Sequence, residues 1–78
     1  MDKRDRAVLF RERLSDALRS RDMNRSDLAR GAGLDRSTVS QLLSEDAPRL
    51  PNGQALAAIA TALSVSSDWL LGLSTHRG

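Results

Sequence analysis

Cysteine and tyrosine are absent from this chain, and it holds only one phenylalanine (Phe10), one tryptophan (Trp69), one histidine (His76), one lysine (Lys3) and two prolines (Pro48 and Pro51). Without cysteine there is no disulfide framework and no thiolate nucleophile, and the chain suits a reducing compartment. A lone histidine near the end, with no thiol or second imidazole beside it, supplies neither a metal-ligand set nor a base–nucleophile pair; it reads as solvated. Long apolar runs are lacking too. The longest apolar-rich stretch, Ala55 to Leu63, includes Thr61 and falls far short of the roughly 20 residues a membrane span needs. The start, Met1-Asp-Lys-Arg-Asp-Arg, is followed by too short an apolar stretch for a signal peptide. Scattered carboxylates and no glycine-rich phosphate loop complete the exclusions. The expectation is a soluble, cytoplasmic protein that is not an enzyme and needs no cofactor, metal or membrane.

What is present is enough for one small domain. A chain of 78 residues buries only about 60% of its unfolded surface on folding, so net stability is expected at roughly 4–12 kcal/mol, to which a second copy could add. Twelve basic residues against ten acidic ones leave a net charge of +2, a weak signal. Every basic residue except Lys3 is arginine, whose planar fork suits bidentate contact with phosphate and guanine. A coding bias toward arginine produces the same excess, so composition alone does not point to a nucleic acid.

The pattern along the chain is helical throughout, and no stretch alternates as a strand would. Asp5 is placed to cap a first helix running to about Arg21, with Ala7, Phe10, Leu14, Ala17 and Leu18 on one stripe. Asn24 starts a second helix, with Asp27 three residues on to complete a capping box; its buried face is Leu28, Ala29 and Ala32, and Gly31 is an oddity inside it. Asp35 caps a third helix to about Ser44, anchored by Val39, Leu42 and Leu43. After the non-helical Glu45–Pro51 segment, Asn52 caps a fourth helix with a core face of Leu56, Ile59, Ala60 and Leu63. Ser66 caps a short fifth helix through Leu71, ended by Gly72, and Trp69 is expected to plug the core between the last two helices. The domain is read as 6–73, with flexible tails at 1–5 and 74–78.

The run Asn24–Leu43 carries the functional signal. Two helices that cross steeply need a small side chain at the contact, and Ala29 supplies it; the corner needs a residue tolerant of positive φ, and Gly33 supplies that. The second helix of the pair then anchors on one side and leaves the other polar and free. This is how a helix-turn-helix, placed at about 24–44, presents a reading helix to the major groove of DNA.

Leu28-Ala29, Gly33, Val39 and Leu42, with the ending Ala60-Thr-Ala-Leu-Ser-Val-Ser-Ser-Asp-Trp-Leu-Leu-Gly72, resemble the phage-repressor and Cro type of helix-turn-helix regulators (the xenobiotic-response-element, or Xre, type). The likeness covers about Arg11 to Gly72. It implies an all-α, compact five-helix bundle of the lambda-repressor-like type, usually a homodimer on a near-palindromic operator in double-stranded DNA, in a prokaryotic or phage setting. A C-terminal sensing domain or protein partner often accompanies such a module. Two positions depart from the family pattern: Asp22 stands before the second helix and Ser64 ends the fourth, where glycine is usual. Both residue types tolerate a left-handed backbone at modest cost. Some phage-type relatives place a buried Arg–Glu pair between the first and third helices at the positions of Leu18 and Leu43 here, so an apolar contact is expected instead.

By this resemblance Arg36, Ser37 and Gln41 occupy base-reading positions. Their chemistry is suited to that role, since Arg36 can fork onto guanine O6 and N7, and Gln41 can pair with adenine N6 and N7. Thr38, Ser40 and Ser44 are candidates for base or phosphate contacts. Phosphate is expected at Asn24 and Arg25, where the second helix offers free N–H groups and its positive dipole end, and at Arg49. Glu45 and Asp46 in the same loop would repel phosphate unless turned away. A dimer surface is expected from Leu50, Leu70 and Leu73. The competing reading is a protein-interaction module, an antitoxin arm or assembly adaptor, with weak or no specific DNA binding.

Overall fold

The computed structural model describes residues 2–78 and is helical, with no strand among them; Met1 of the expected N-terminal tail lies outside the described residues. The order is α1 (Lys3–Ser20), α2 (Arg25–Ala32), α3 (Arg36–Leu42), α4 (Gly53–Leu63) and α5 (Ser67–Leu70). Helix α1 starts earlier than the sequence suggested. Asp2, not Asp5, is its N-cap and accepts from the Asp5 N–H, so Asp5 supplies negative charge to the first turn instead. Residues 3–5 are therefore helical rather than part of a tail. Helix α3 is shorter than expected, closing at Leu42.

The apolar stripe of α1 is buried as its spacing requires: Ala7, Phe10, Leu14, Ala17 and Leu18 all lie inside. They meet Leu28 and Ala29 of α2, Val39 and Leu42 of α3, and Ile59, Ala60 and Leu63 of α4 in one core. Ala55 is buried as well, whereas Leu56 is only half-buried. Trp69 is buried in the same core, as is Leu70 at 0% exposure. Leu70 is thus a core residue and not part of a leftover dimer surface; α5 is so short that two of its four residues fill the interior. Leu50 packs half-buried against the core, and Leu73, 63% exposed, is the large hydrophobic that stays outside.

Three connections share one construction. A left-handed residue ends a helix, an apolar residue follows, and a polar residue then caps the next helix: Asp22-Met23-Asn24, Gly33-Leu34-Asp35 and Ser64-Val65-Ser66. In each, the N–H of the apolar residue returns to a carbonyl of the finished helix, Met23 to Leu18 at 2.9 Å, Leu34 to Ala29 at 2.9 Å and Val65 to Ala60 at 3.0 Å. The apolar side chain packs against the core. This is the Schellman closure, which satisfies otherwise orphaned carbonyls. Gly72 with Leu73 repeats the hydrogen bond at the end of α5, Leu73 N–H to Asp68 O at 2.8 Å, but leaves the leucine outside.

Residues 74–78, read from the sequence as a tail, carry no helix but fold back on the bundle. The Ser66 N–H donates to the Arg77 carbonyl, and the Arg77 guanidinium lies 4.6 Å from the centre of the Trp69 ring and donates to Ser20 Oγ at 3.0 Å. His76 is exposed.

Ser64 holds φ +54°, a conformation without penalty only for glycine. Replacing Ser64→Gly is expected to raise stability by about 0.5–1 kcal/mol, whereas Gly33→Ala at φ +66° lowers it by about 1–2 kcal/mol although a Cβ there meets nothing within 4 Å. Urea unfolding of the two variants against the parent reads both signs.

Candidate nucleic-acid interface

The chain's arginines divide by how they are used. Three on α1 or at its end reach carbonyls at the far ends of other helices: Arg6 donates to Leu71 O, Arg13 to Trp69 O and to Ser74 O at 2.9 Å, and Arg21 Nε to Leu63 O at 2.8 Å. Such end carbonyls lack intrahelical partners, so these side chains serve as tertiary caps of α4 and α5. Arg13 also lies over the Trp69 ring, 5.1 Å from its centre, so with Arg77 two guanidiniums rest on one indole. Arg19 and Arg30 pair with Asp16 and Asp27 at 2.6 Å, Arg11 pairs with Glu45 at 3.4 Å, and Arg49 donates to Gln41. Among the described residues, those left with no hydrogen-bond or ion-pair partner are Arg4, Arg25 and Arg36. The last two open α2 and α3, the two helices of the corner.

That corner is built from short-range rules. Gly33 closes α2 at φ +66°, and Ala29, buried, lets α3 approach α2 closely. Asp35 takes the N-cap position of α3 with extended backbone, but its side chain makes no capping hydrogen bond. Val39 and Leu42 then pin one side of α3 into the core. The opposite side is a row of exposed polar residues, Arg36, Ser37, Ser40 and Gln41, with Thr38 half-buried at its edge. The structure thus brings the expected base-reading residues to one open face. Ser44 is not among them. It lies beyond the end of α3, half-buried, and its hydroxyl accepts from the Asp46 N–H at 3.3 Å to shape the following loop. The physical reason is that α3 closes at Leu43: the Ser44 N–H turns to Gln41 O at 3.3 Å, three residues back, in place of the four-residue helical bond.

The start of α2 carries a complete capping box: Asn24 Oδ1 accepts from the Asp27 N–H at 2.8 Å, and Asp27 Oδ2 accepts from the Asn24 N–H at 3.0 Å. The box uses Asn24's oxygen and leaves its amide donors, the exposed Arg25 side chain and the N–H groups of the first helical positions facing outward. This is the arrangement that receives an anion at a helix N-terminus. Beside it lies a hollow of about 400 Å³ lined by Arg11, Arg19, Asn24 and Arg25, with Leu18 and Leu43 among its apolar walls. Leu18 and Leu43 thus line one space between α1 and the end of α3.

Arg11 is a residue that sequence reasoning left outside the interface. It reaches this hollow because it sits two helical turns before Leu18, on nearly the same side of α1. Its side chain is 19% exposed against 85% for Glu45, so the pair stands at the rim, and it is worth little as stability. Its electrical effect is larger: the Glu45 carboxylate is turned back to α1 and matched by a cation. The repulsion expected from the acidic loop falls accordingly, leaving Asp46 as its exposed, unpaired acid.

A helical pair with a glycine corner, an anchored second helix and an open polar face defines a helix-turn-helix domain. The family model for the Cro/C1-type HTH DNA-binding domain matches residues 13–74, most of the chain, and the protein belongs to that family. No match to a curated protein or to a solved structure was found. The family consists of DNA-binding domains rather than enzymes, which agrees with the exposed polar face.

Because Asn24 closes the capping box, Asn24→Ala is expected to cost about 1 kcal/mol of stability, while Asn24→Asp, which keeps the accepting oxygen, restores most of it. Thermal unfolding of the three chains checks this.

Proposed function

We propose that this domain is a sequence-specific, double-stranded DNA-binding regulator of the repressor type. It acts in the cytoplasm as a homodimer on a near-palindromic operator, with α3 in the major groove. The observation that carries the reading is the allocation of arginines: seven are engaged with carbonyls, carboxylates or the indole, and of the three left unpartnered, Arg4 opens α1 while Arg25 and Arg36 stand at the N-termini of α2 and α3, the helices of the corner. An arginine held clear of its own protein is available to a phosphate or a base edge. Arg36 and Gln41 read bases, Ser37 and Ser40 add hydroxyls, and Thr38 borders the groove. Asn24, Arg25 and Arg49 hold phosphates.

Such a dimer sets its two reading helices one DNA turn, roughly 34 Å, apart, a spacing of the same order as the domain's longest extent of 31 Å. Leu73, the exposed large hydrophobic, is the residue left to line the contact between the two copies.

The competing reading, a protein-interaction module, draws on the low net charge and the acids of the α3–α4 loop. The Arg11–Glu45 pair weakens that support. Selection of binding sites from random duplexes at near-physiological salt separates the two. A palindromic consensus is the expected result, and no enrichment would overturn the regulator reading. On the selected site, Arg36→Ala is expected to lose about 1–3 kcal/mol and relax the base preference at one position per half-site. With about four to six phosphates neutralised per dimer, the log–log salt slope is expected near −4 to −5; a flat response speaks for the interaction module.

A further inference from the structure

Gln41 is not free on the open face of α3. Arg49, eight residues later, donates from Nη1 to Gln41 Oε1 at 3.3 Å. A guanidinium has donors only, so the atom it meets must be the amide oxygen, and the amide's NH2 is turned away from Arg49. Both segments that carry this contact are anchored beside it. Gln41 precedes the buried Leu42, and Arg49 stands between Pro48, whose own φ is fixed, and Leu50, which packs against the core and precedes Pro51.

We propose that Arg49 is a specificity-setting residue that positions Gln41 to read an acceptor edge, guanine O6/N7 or thymine O4, in place of adenine. The inference rests on the DNA-binding reading above. Bidentate recognition of adenine requires the glutamine oxygen to accept from N6 while its NH2 donates to N7. Here the oxygen is already engaged. Its second lone pair remains, but the positive guanidinium beside it repels the amino hydrogens of N6. The same positive charge attracts guanine O6 or thymine O4, the acceptors that stand in place of adenine's N6 amino group, while N7 is common to both purines. Gln41 therefore presents donors, backed by a cation. Arg49 spends one N–H on this contact and keeps the others for a phosphate, so it couples a backbone contact to a base contact. The adenine pairing that glutamine's chemistry suggests in isolation is replaced by its opposite.

The test compares sites selected from random duplexes by the parent chain, Arg49→Ala and Gln41→Ala, with circular dichroism to establish that all three are equally helical. The position read by Gln41 is the one whose preference disappears in Gln41→Ala. At that position the parent is expected to favour guanine or thymine over adenine by roughly fivefold or more, the lower end of what a paired base contact supplies. Arg49→Ala is expected to bring adenine to parity or above. Adenine preferred by the parent, or an unchanged base ranking in Arg49→Ala with affinity lowered on all sites, overturns the proposal and leaves Arg49 a phosphate contact only. No enrichment by the parent overturns the DNA-binding reading itself, and this inference with it.

Discussion

The return hydrogen bond that closes α2, from the Leu34 N–H to the Ala29 carbonyl across a left-handed Gly33, is the constraint on which the interface depends. It stops α2 after eight residues, turns the chain sharply, and draws Leu34 onto the core. Only one residue, Asp35, then separates Leu34 from α3. With so short a connector, the direction of α3 is dictated by backbone geometry rather than by side-chain packing. A helix of seven residues has little propensity to form alone. It is held by the corner in front and by Val39 and Leu42 beneath, which leaves its outer face out of the core, with the Arg49 contact to Gln41 as a side-chain tie on that face.

The same closure recurs at Asp22 and Ser64, where no glycine marks it. The repeat explains how a chain with few aromatics and no cross-links holds its helices together: each of these junctions takes three or four residues, satisfies end carbonyls locally, and contributes one apolar side chain to the core. Met23, Leu34 and Val65 are thus both turn residues and packing residues. The long α3–α4 loop is the exception. It has no left-handed closure and relies on prolines and on Leu50 instead, and it is the connection that returns Glu45 to Arg11 of α1 and brings Arg49 to Gln41 on the reading face.

Local rules made much of this legible in the sequence. The α1 stripe, the capping box at Asn24 and the caps at Asn52 and Ser66 follow from short-range spacing, whereas the glycine-like places of Asp22 and Ser64 are legible only through the resemblance to a family that has glycine there; the structure shows each of them. Two readings fail for local reasons. Asp5 has the right chemistry to start α1, but Asp2, three residues earlier, takes the N-cap and adds almost a turn to the helix. Leu70, expected at a dimer surface, is in the core because α5 is too short to have an outer apolar face. The arginines were illegible for a different reason. Their long side chains find partners set by tertiary proximity, such as Arg13 on Trp69 and Ser74, and no periodicity in the sequence encodes that.

The distribution of charge follows from the same allocation. A net charge of +2 is a poor guide to where cationic donors are available, because Arg11, Arg19 and Arg30 are offset by carboxylates and a guanidinium that donates to a carbonyl keeps its charge but not its free N–H groups. Arg6, Arg13 and Arg21 are engaged in the second way, along the length of α1, with carbonyls at the ends of α4 and α5. Arg4, Arg25 and Arg36 keep free guanidinium donors at the starts of three helices, and two of these, α2 and α3, are the helices of the corner. There the free side chains stand near backbone N–H groups of the first helical positions, and the two kinds of donor together suit an anion. The corner is thus set apart by where donors are left free, not by net charge.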